Sequence, residues 1–270
     1  MKTVDDFFRK YRLDEFYEKQ TREGVRPVVP FRRDRHKHLS YGIIPGFRKY
    51  DLFYERYFSA VRVFEQAGVL RDGMHVLDIG SGEGFFKFFF DGMLSVTAEW
   101  HGVEVWPERA AFCQHIGYRM YDINLDEEAL PFADNRFDLV IASHVIEHLR
   151  SPSGVLREMS RVTKPSGLLL VATPTKPPVI ARVAHWLRTF ESKKTGETQQ
   201  AFSAWSLRRY VLDALQWPPS AIIDLRGFRI FSSRKKLPIE NWLWFYRLSI
   251  FAGRYLLPLV PEVNIILRKP

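Results

Sequence analysis

The chain has little sulfur: one cysteine, Cys113, in 270 residues. A lone thiol excludes an internal disulfide framework and any zinc cluster built on cysteines, and it fits a reducing compartment. Long apolar runs are missing too, since none approaches the ~20 residues that a bilayer-spanning helix needs. The first sixteen residues, MKTVDDFFRKYRLDEF, are charged throughout and lack the apolar stretch of a secretory signal. The expected location is therefore cytoplasmic. There is no internal repeat and no low-complexity tract. With 46% hydrophobic residues the chain can build a sizeable core, so disorder is not expected, and its length suits one large domain with insertions.

Acidic residues are outnumbered, and the net charge is +9. Two basic clusters stand out, Arg32-Arg33-Asp34-Arg35-His36-Lys37-His38 and Arg234-Lys235-Lys236. Such charge attracts nucleic acid, anionic lipid or an acidic substrate, or forms a plain solvated face. Aromatics make up 15% of the chain and concentrate in the flanks and in the helical segment that starts at residue 84.

The most informative stretch is His75-Val-Leu-Asp-Ile-Gly-Ser-Gly-Glu-Gly-Phe-Phe86. An apolar strand ends near an acid, and Gly80, Gly82 and Gly84 then allow a tight turn and close approach of the backbone to a ligand. The glycines read G-x-G-x-G, not the G-x-G-x-x-G of dinucleotide sites. From Met74 onward the pattern alternates, with strands predicted at 75–79, 100–105, 118–121, 137–142 and 167–173. Helices are predicted at 84–93, 107–116 and 151–162. This order predicts an α/β fold, a Rossmann-like parallel sheet with helices on both faces and the site at the carboxyl ends of the strands. Asp78, Glu104, Asp122 and Ser143 all fall near such ends. A single acid at a strand end is usually a solvent-facing carboxylate. Glu104, however, follows Gly84 by 20 residues, where an acid accepts from both hydroxyls of a ribose. Val105 and Trp106 follow it, with the indole placed to cover an adenine. Asp122 can accept from the adenine amino group while Ile123 packs on the ring.

The run 75–86 resembles motif I of the class I S-adenosylmethionine (SAM)-dependent methyltransferases. Leu130 to Leu149, LPFADNRFDLVIASHVIEHL, closely resembles the "LPF…FDLV…EHL" block of the members that include the ubiquinone/menaquinone-biosynthesis type. Leu156 to Leu170 continues the match, with Ser166 standing where the family usually has the first glycine of Lys-Pro-Gly-Gly; the change is expected to alter a turn and not the chemistry. The resemblance covers about residues 60–173. It implies a seven-stranded, mostly parallel sheet and SAM as methyl donor. Asp78, Gly80, Ser81, Gly82 and Gly84 would line the methionine end, with Ser143 nearby. Glu104 would hold the ribose, and Asp122 with Ile123 the adenine. Glu83, beside an anionic carboxylate, is expected to point outward or to pair with a cation.

For a hydroxyl acceptor the protein must add a base. His144 and His148 are the candidates on the rim, each of which also reads as a satisfied polar residue. His36, His38, Tyr41 and His185 are the candidates in the flanks. Ser143-His-Val-Ile146 lacks the Asn/Asp-Pro-Pro-Tyr block of DNA-amino methyltransferases. The rim lacks a carboxylate cluster for metal-assisted chemistry, and no RNA-recognition module is visible, so neither a metal nor nucleic acid is expected.

Beyond Thr173, Pro174, Pro177 and Pro178 end the fifth strand, and Glu191 to Gln200 reads as a mobile loop. Ala204 to Leu215 reads as a helix, and strands are predicted at 222–231 and 263–268. Between them Glu240, Arg247 and Arg254, seven apart, would form a polar stripe on a helix that is otherwise apolar and aromatic. That helix could cap the acceptor pocket, form a homodimer, or lie on an anionic membrane surface through 234–258, with Trp242, Trp244 and Tyr255 at headgroup depth. Three regions are expected: a helical N-terminal cap (1–60), a SAM-binding core (61–175), and an acceptor-side insertion with the last strands (176–270). The predicted activity is O-methylation of a lipophilic or lipid-linked, glycan-type acceptor at the cytoplasmic membrane face. The alternatives are methylation of a quinone-type or other diffusible small molecule, on carbon or oxygen, and a SAM-binding regulatory module without turnover.

Overall fold

The computed structural model describes residues 4–24, 52–183, 200–228 and 243–270. Seven strands form one sheet: β1 (Met74–Ile79), β2 (Ala98–Val103), β3 (Tyr118–Tyr121), β4 (Phe137–Ser143), β5 (Thr163–Pro174), β6 (Ile222–Gly227) and β7 (Glu262–Arg268). Their spatial order is β3-β2-β1-β4-β5-β7-β6. The first five strands pair in parallel, and β7 runs antiparallel between β5 and β6.

The two central strands read MHVLDI and FDLVIAS, and all but one residue at the edge of each are buried. Near-continuous apolar runs are what a strand covered on both faces requires. Two apolar clusters result. One gathers Leu77, Ile79, Val140 and Leu169 with the helices α6 (Pro152–Val162) and α7 (Ala204–Leu215). The other gathers Val76, Leu139, Ile141 and Leu170 with α3 (Leu52–Gln66), α4 (Phe85–Met93) and α5 (Pro107–His115).

α4, FFKFFFDGM, is buried nearly all round, because α3 and two N-terminal helices close over it. Tyr57 of α3 stacks on Phe85 with centroids 5.3 Å apart. Of the N-terminal pair, α1 (Val4–Lys10) and α2 (Leu13–Arg22), the second packs Phe16 on His115, and Tyr11 between them donates to Asp91 at 2.6 Å. Lys87 is buried in α4 and is neutralised by Asp91 one turn on, at 3.0 Å.

Most predicted strands and helices match the observed ones to within a residue or two. β2 ends at Val103, so Val105 lies beyond it instead of closing the strand. β5 starts four residues earlier than predicted, at Thr163. The boundary placed at 60/61 cuts through α3, which runs unbroken from Leu52 to Gln66. Ser166 adopts a left-handed φ of 61°, a backbone state that favours glycine. The turn therefore keeps the shape that a glycine would give, at some strain.

The aromatic C-terminal segment forms α8 (Leu243–Tyr255). Its inner face, Phe245, Tyr246, Ser249 and Ala252, is buried against the neighbourhood of β6. Gly253 comes so close to the Gly227 backbone that a Cβ there would collide with the Gly227 carbonyl oxygen. Arg247 and Arg254, two of the three residues of the expected polar stripe, lie exposed on the outer face, which they share with exposed apolar residues: Trp244, Leu248, Phe251 (61%) and Tyr255 (64%). Among the described residues no helix is long and apolar enough to cross a membrane. His36, His38, Tyr41, His185, Glu240, Trp242, both basic clusters and residues 191–199 lie outside the described residues.

Candidate active site

A cavity of about 610 Å³ opens at the carboxyl ends of β1, β2 and β4. Its floor is the glycine turn. Gly80, Gly82 and Gly84 all have positive φ, at 64°, 54° and 66°. At Gly80 a Cβ would overlap the Val145 side chain, and at Gly84 it would lie 2.6 Å from Ile116 Cδ1. At Gly82 a Cβ would meet nothing nearer than 3.8 Å, so its missing side chain leaves open space at the cavity wall. One glycine packs the turn, one feeds α4, and one leaves room for a ligand.

Glu104 spans the turn from the next strand. Its Oε2 accepts from the Gly82 N–H at 2.9 Å and its Oε1 from the Trp106 N–H at 3.0 Å. Each oxygen keeps a lone pair that a ribose hydroxyl can use. Val105 and Trp106, 60% and 61% exposed, form an apolar lip on the cavity. Asp78 sits at the bottom, 2% exposed, and its Oδ2 accepts from the Tyr118 hydroxyl at 3.0 Å. Burial pushes its carboxyl up to about 7; the Tyr118 hydrogen bond opposes that rise and the Glu104 charge adds to it. Ser81 lines the cavity while its hydroxyl points at Cys113 Sγ, 3.5 Å away. Burial likewise pushes the Cys113 thiol up to about 12, so this cysteine is an inert packing group under the turn. Glu83 lies 4.0 Å from Arg109, with which it forms an ion pair at the cavity wall.

Asp122 and Ile123 do not reach the cavity. Asp122 is exposed, and Ile123 turns into the core at 4% exposure. Asn124, Leu125 and Asp126, a few residues further on, line that side. The loop after β3 thus presents its second half to the ligand space. Asp126 also accepts from the Arg150 N–H at 2.7 Å, which ties this loop to the one after β4.

The opposite wall comes from α3 and the loop after β4: Arg56, Tyr57, Ser143, His144, Val145, His148 and Leu149, with Phe85 and Phe86 beside them. His144 takes a left-handed φ of 58°. Its Nε2 lies 2.9 Å from Glu262 Oε1 of β7 and 2.6 Å from Arg56 Nη1. Arg56 and Glu262 are themselves a buried ion pair at 2.8 Å. One nitrogen cannot both donate to Glu262 and accept from Arg56, so the His144 tautomer selects between them. Glu147 stands between the two histidines. Its Oε2 accepts from the Thr173 hydroxyl at 3.0 Å. Its Oε1 lies 3.6 Å from His144 Nδ1 and 3.9 Å from His148 Nε2, and it is buried without a hydrogen bond. Arg56, Tyr57 and Glu262 were invisible in the sequence, lying far from every motif. Glu147 is in the Glu-His pair of the motif, but its place between two imidazoles could not be read there.

A sheet of this order, with a glycine turn after its first strand and an acid after its second, defines the class I SAM-dependent methyltransferase fold. Residues 77–171 match a family model described as a methyltransferase domain, and this segment is a methyltransferase domain of that class. An uncharacterized methyltransferase of Mycobacterium sp. (strain KMS) is 34% identical over 142 residues, 51% of this chain and 50% of the relative. The chain thus spans about half the length of the curated relatives it matches. Among solved structures, the cyclase SpnF shares the fold at a TM-score of 0.53 and 16% identity, with 96% of each chain covered. Geranyl diphosphate methyltransferase, solved with GPP and sinefungin, shares it at 0.51 and 15%, with 80% of this chain and 78% of that one covered. The cofactor of this fold family is SAM, and sinefungin is its analogue.

Proposed function

We propose that the chain is a SAM-dependent O-methyltransferase whose acceptor is lipophilic or lipid-linked, such as a membrane-held glycan intermediate. The observation that carries this reading is the two-sided cavity. One side carries the Gly80–Gly84 turn with Asp78 and Glu104, and the other carries Tyr57, Phe85, Phe86 and two histidines backed by a buried acid. When bound, SAM supplies a methyl group on a positively charged sulfur, already activated as a leaving group.

The chain's residues do the rest. Asp78, ionised, would hold the α-ammonium of the cofactor, and Glu104 would accept from its ribose hydroxyls. The aromatic wall excludes water and aligns the acceptor, which is where most of the barrier reduction arises in such a displacement. A hydroxyl acceptor that takes up a methyl group must shed its proton, and an imidazole on this wall would receive it. His148, on the cavity wall with its side chain 58% exposed, is the better placed, because the Nε2 of His144 is committed to the Arg56–Glu262 pair. Glu147 Oε1 then faces the new imidazolium and offsets its charge.

The lipophilic acceptor rests on α8. Its exposed aromatic residues share the outer face with Arg247 and Arg254, and no acid lies between Leu243 and Leu259. Such a face complements an anionic bilayer surface. Labelled SAM incubated with a cell-envelope extract tests the proposal. Label in the lipid-soluble fraction is the expected outcome, and label confined to water-soluble products would refute the acceptor class. Vesicles containing anionic lipid should carry the protein in flotation, and Trp244→Ser with Phe251→Ser should lower the floated fraction severalfold. Since the fold also serves a cyclase, turnover itself is part of the test. SAM binding in calorimetry without any methylated product would favour a regulatory module.

A further inference from the structure

We propose a second binding site, for a divalent transition metal of the zinc type, on His75 of β1 and Glu99 and His101 of β2. Register brings them together. His75 pairs with Glu99 across the parallel strands, and His101 follows Glu99 by two residues, so it returns to the same face. Each of the three offers a ligand atom within 4.8 Å of the others'. The imidazole centroids are 6.0 Å apart.

Two observations point to a ligand here. His101 is fully buried, yet its Nε2 has no hydrogen-bond partner among the described residues, and the same holds for the buried Nδ1 of His75. Buried imidazole nitrogens are as a rule satisfied, and two orphans on adjacent strands call for one shared partner. In addition, His101 Nδ1 lies 3.1 Å from the Tyr121 hydroxyl, the outer-shell contact that fixes a ligating ring and leaves its other nitrogen for a metal.

Two imidazoles and a carboxylate make a borderline donor set that suits Zn(II), with water in the fourth position. A tetrahedral ion at ordinary bond lengths needs ligand atoms about 3.3 Å apart. The Glu99 side chain, 46% exposed, can swing inward to close that gap. Arg119 Nη1, 3.4 Å from Glu99 Oε2, is the competing cation, and with metal bound it would hold the outer side of the carboxylate. The site lies three residues before Asp78 and Glu104 on the two strands, roughly 10 Å from the cofactor rim, so the ion would pin β1 to β2 and take no part in methyl transfer.

The test uses the untagged full chain, stripped with a chelator and titrated with Zn(II) against a chromophoric competitor, then with Co(II). The expected result is one equivalent of Zn(II) bound, tetrahedral Co(II) absorption bands and a higher melting temperature with Zn(II). His75→Gln and Glu99→Gln should each weaken Zn(II) binding by more than the roughly 10- to 100-fold that loss of an outer-shell partner costs. Both should leave SAM affinity unchanged, which shows that they fold. Failure of the wild type to bind one equivalent, or binding that survives both substitutions, overturns the proposal.

Discussion

Replacing Asp78 by Asn should stabilise the free protein and abolish cofactor binding, and both differences from the wild type should be larger at high pH. The carboxyl is 2% exposed and rises from an ordinary value of 3.8 to about 7 in the fold, chiefly through burial. Between those values the folded state binds more protons than the unfolded one, so this group's contribution to stability falls as pH rises through the window. The penalty is on the order of 4 kcal/mol near pH 8 and about half of that or less near pH 5, and it fades as pH falls through about 4. Asn keeps the shape of the neutral acid and an oxygen for the Tyr118 hydroxyl, and it carries no charge. Asp78→Asn should therefore melt above the wild type by on the order of 10 °C at pH 8, given ~2–4 °C per kcal/mol for a chain of this size, and by clearly less at pH 5. SAM binding should follow the other sign. In the wild type affinity should fall as pH drops below about 7, because the ammonium needs an ionised partner. In Asp78→Asn calorimetry should detect no binding at either pH. Thermal melts in matched buffers at the two pH values, with and without SAM, supply all four readings. A melting difference equal at pH 5 and pH 8, or none at pH 8, would refute the assignment of a buried, reluctantly ionised acid.

Other perturbations separate the parts of the site. Glu104→Ala leaves the N–H groups of Gly82 and Trp106 without their acceptor; it should cost roughly 1–3 kcal/mol of stability in urea unfolding and weaken SAM more than tenfold. His148→Ala should lower kcat by about 10²–10⁴ for a hydroxyl acceptor while the Kd for SAM stays within twofold, and an unchanged kcat would remove His148 as the base. Cys113 should resist a thiol reagent in the native state and react at the rate of unfolding; fast stoichiometric labelling would contradict its burial. Ser166→Gly should stabilise the fold by up to about 1 kcal/mol in denaturant melts by relieving the left-handed φ of 61°.

The fold was legible because two local signals agree: apolar strands at regular spacing, and a glycine turn whose φ values only glycine takes easily. Glu104 was legible for the same reason, since its place follows from the length of one βα unit. What stayed hidden depends on direction and on long-range closure. Along the loop after β3 a displacement of two residues separates the core from the cavity, and Ile123 and Leu125 fall on different sides of it. Arg56 and Glu262 meet at 2.8 Å across more than two hundred residues of chain, with no motif at either end. The His75–Glu99–His101 group exists only through strand register, which composition and spacing do not reveal.

The place of β7 has a consequence for how the protein is made. It is synthesised after β5 and β6 yet lies between them. Until residues 262–268 leave the ribosome, β5 presents an unpaired edge of apolar side chains, the kind of edge that other chains can join. Arg56 also waits for Glu262 throughout that interval, so one wall of the cavity is set only by a late event. The sheet therefore closes by insertion and not by addition at its rim. A nascent chain lacking β7 should be prone to associate through that open edge.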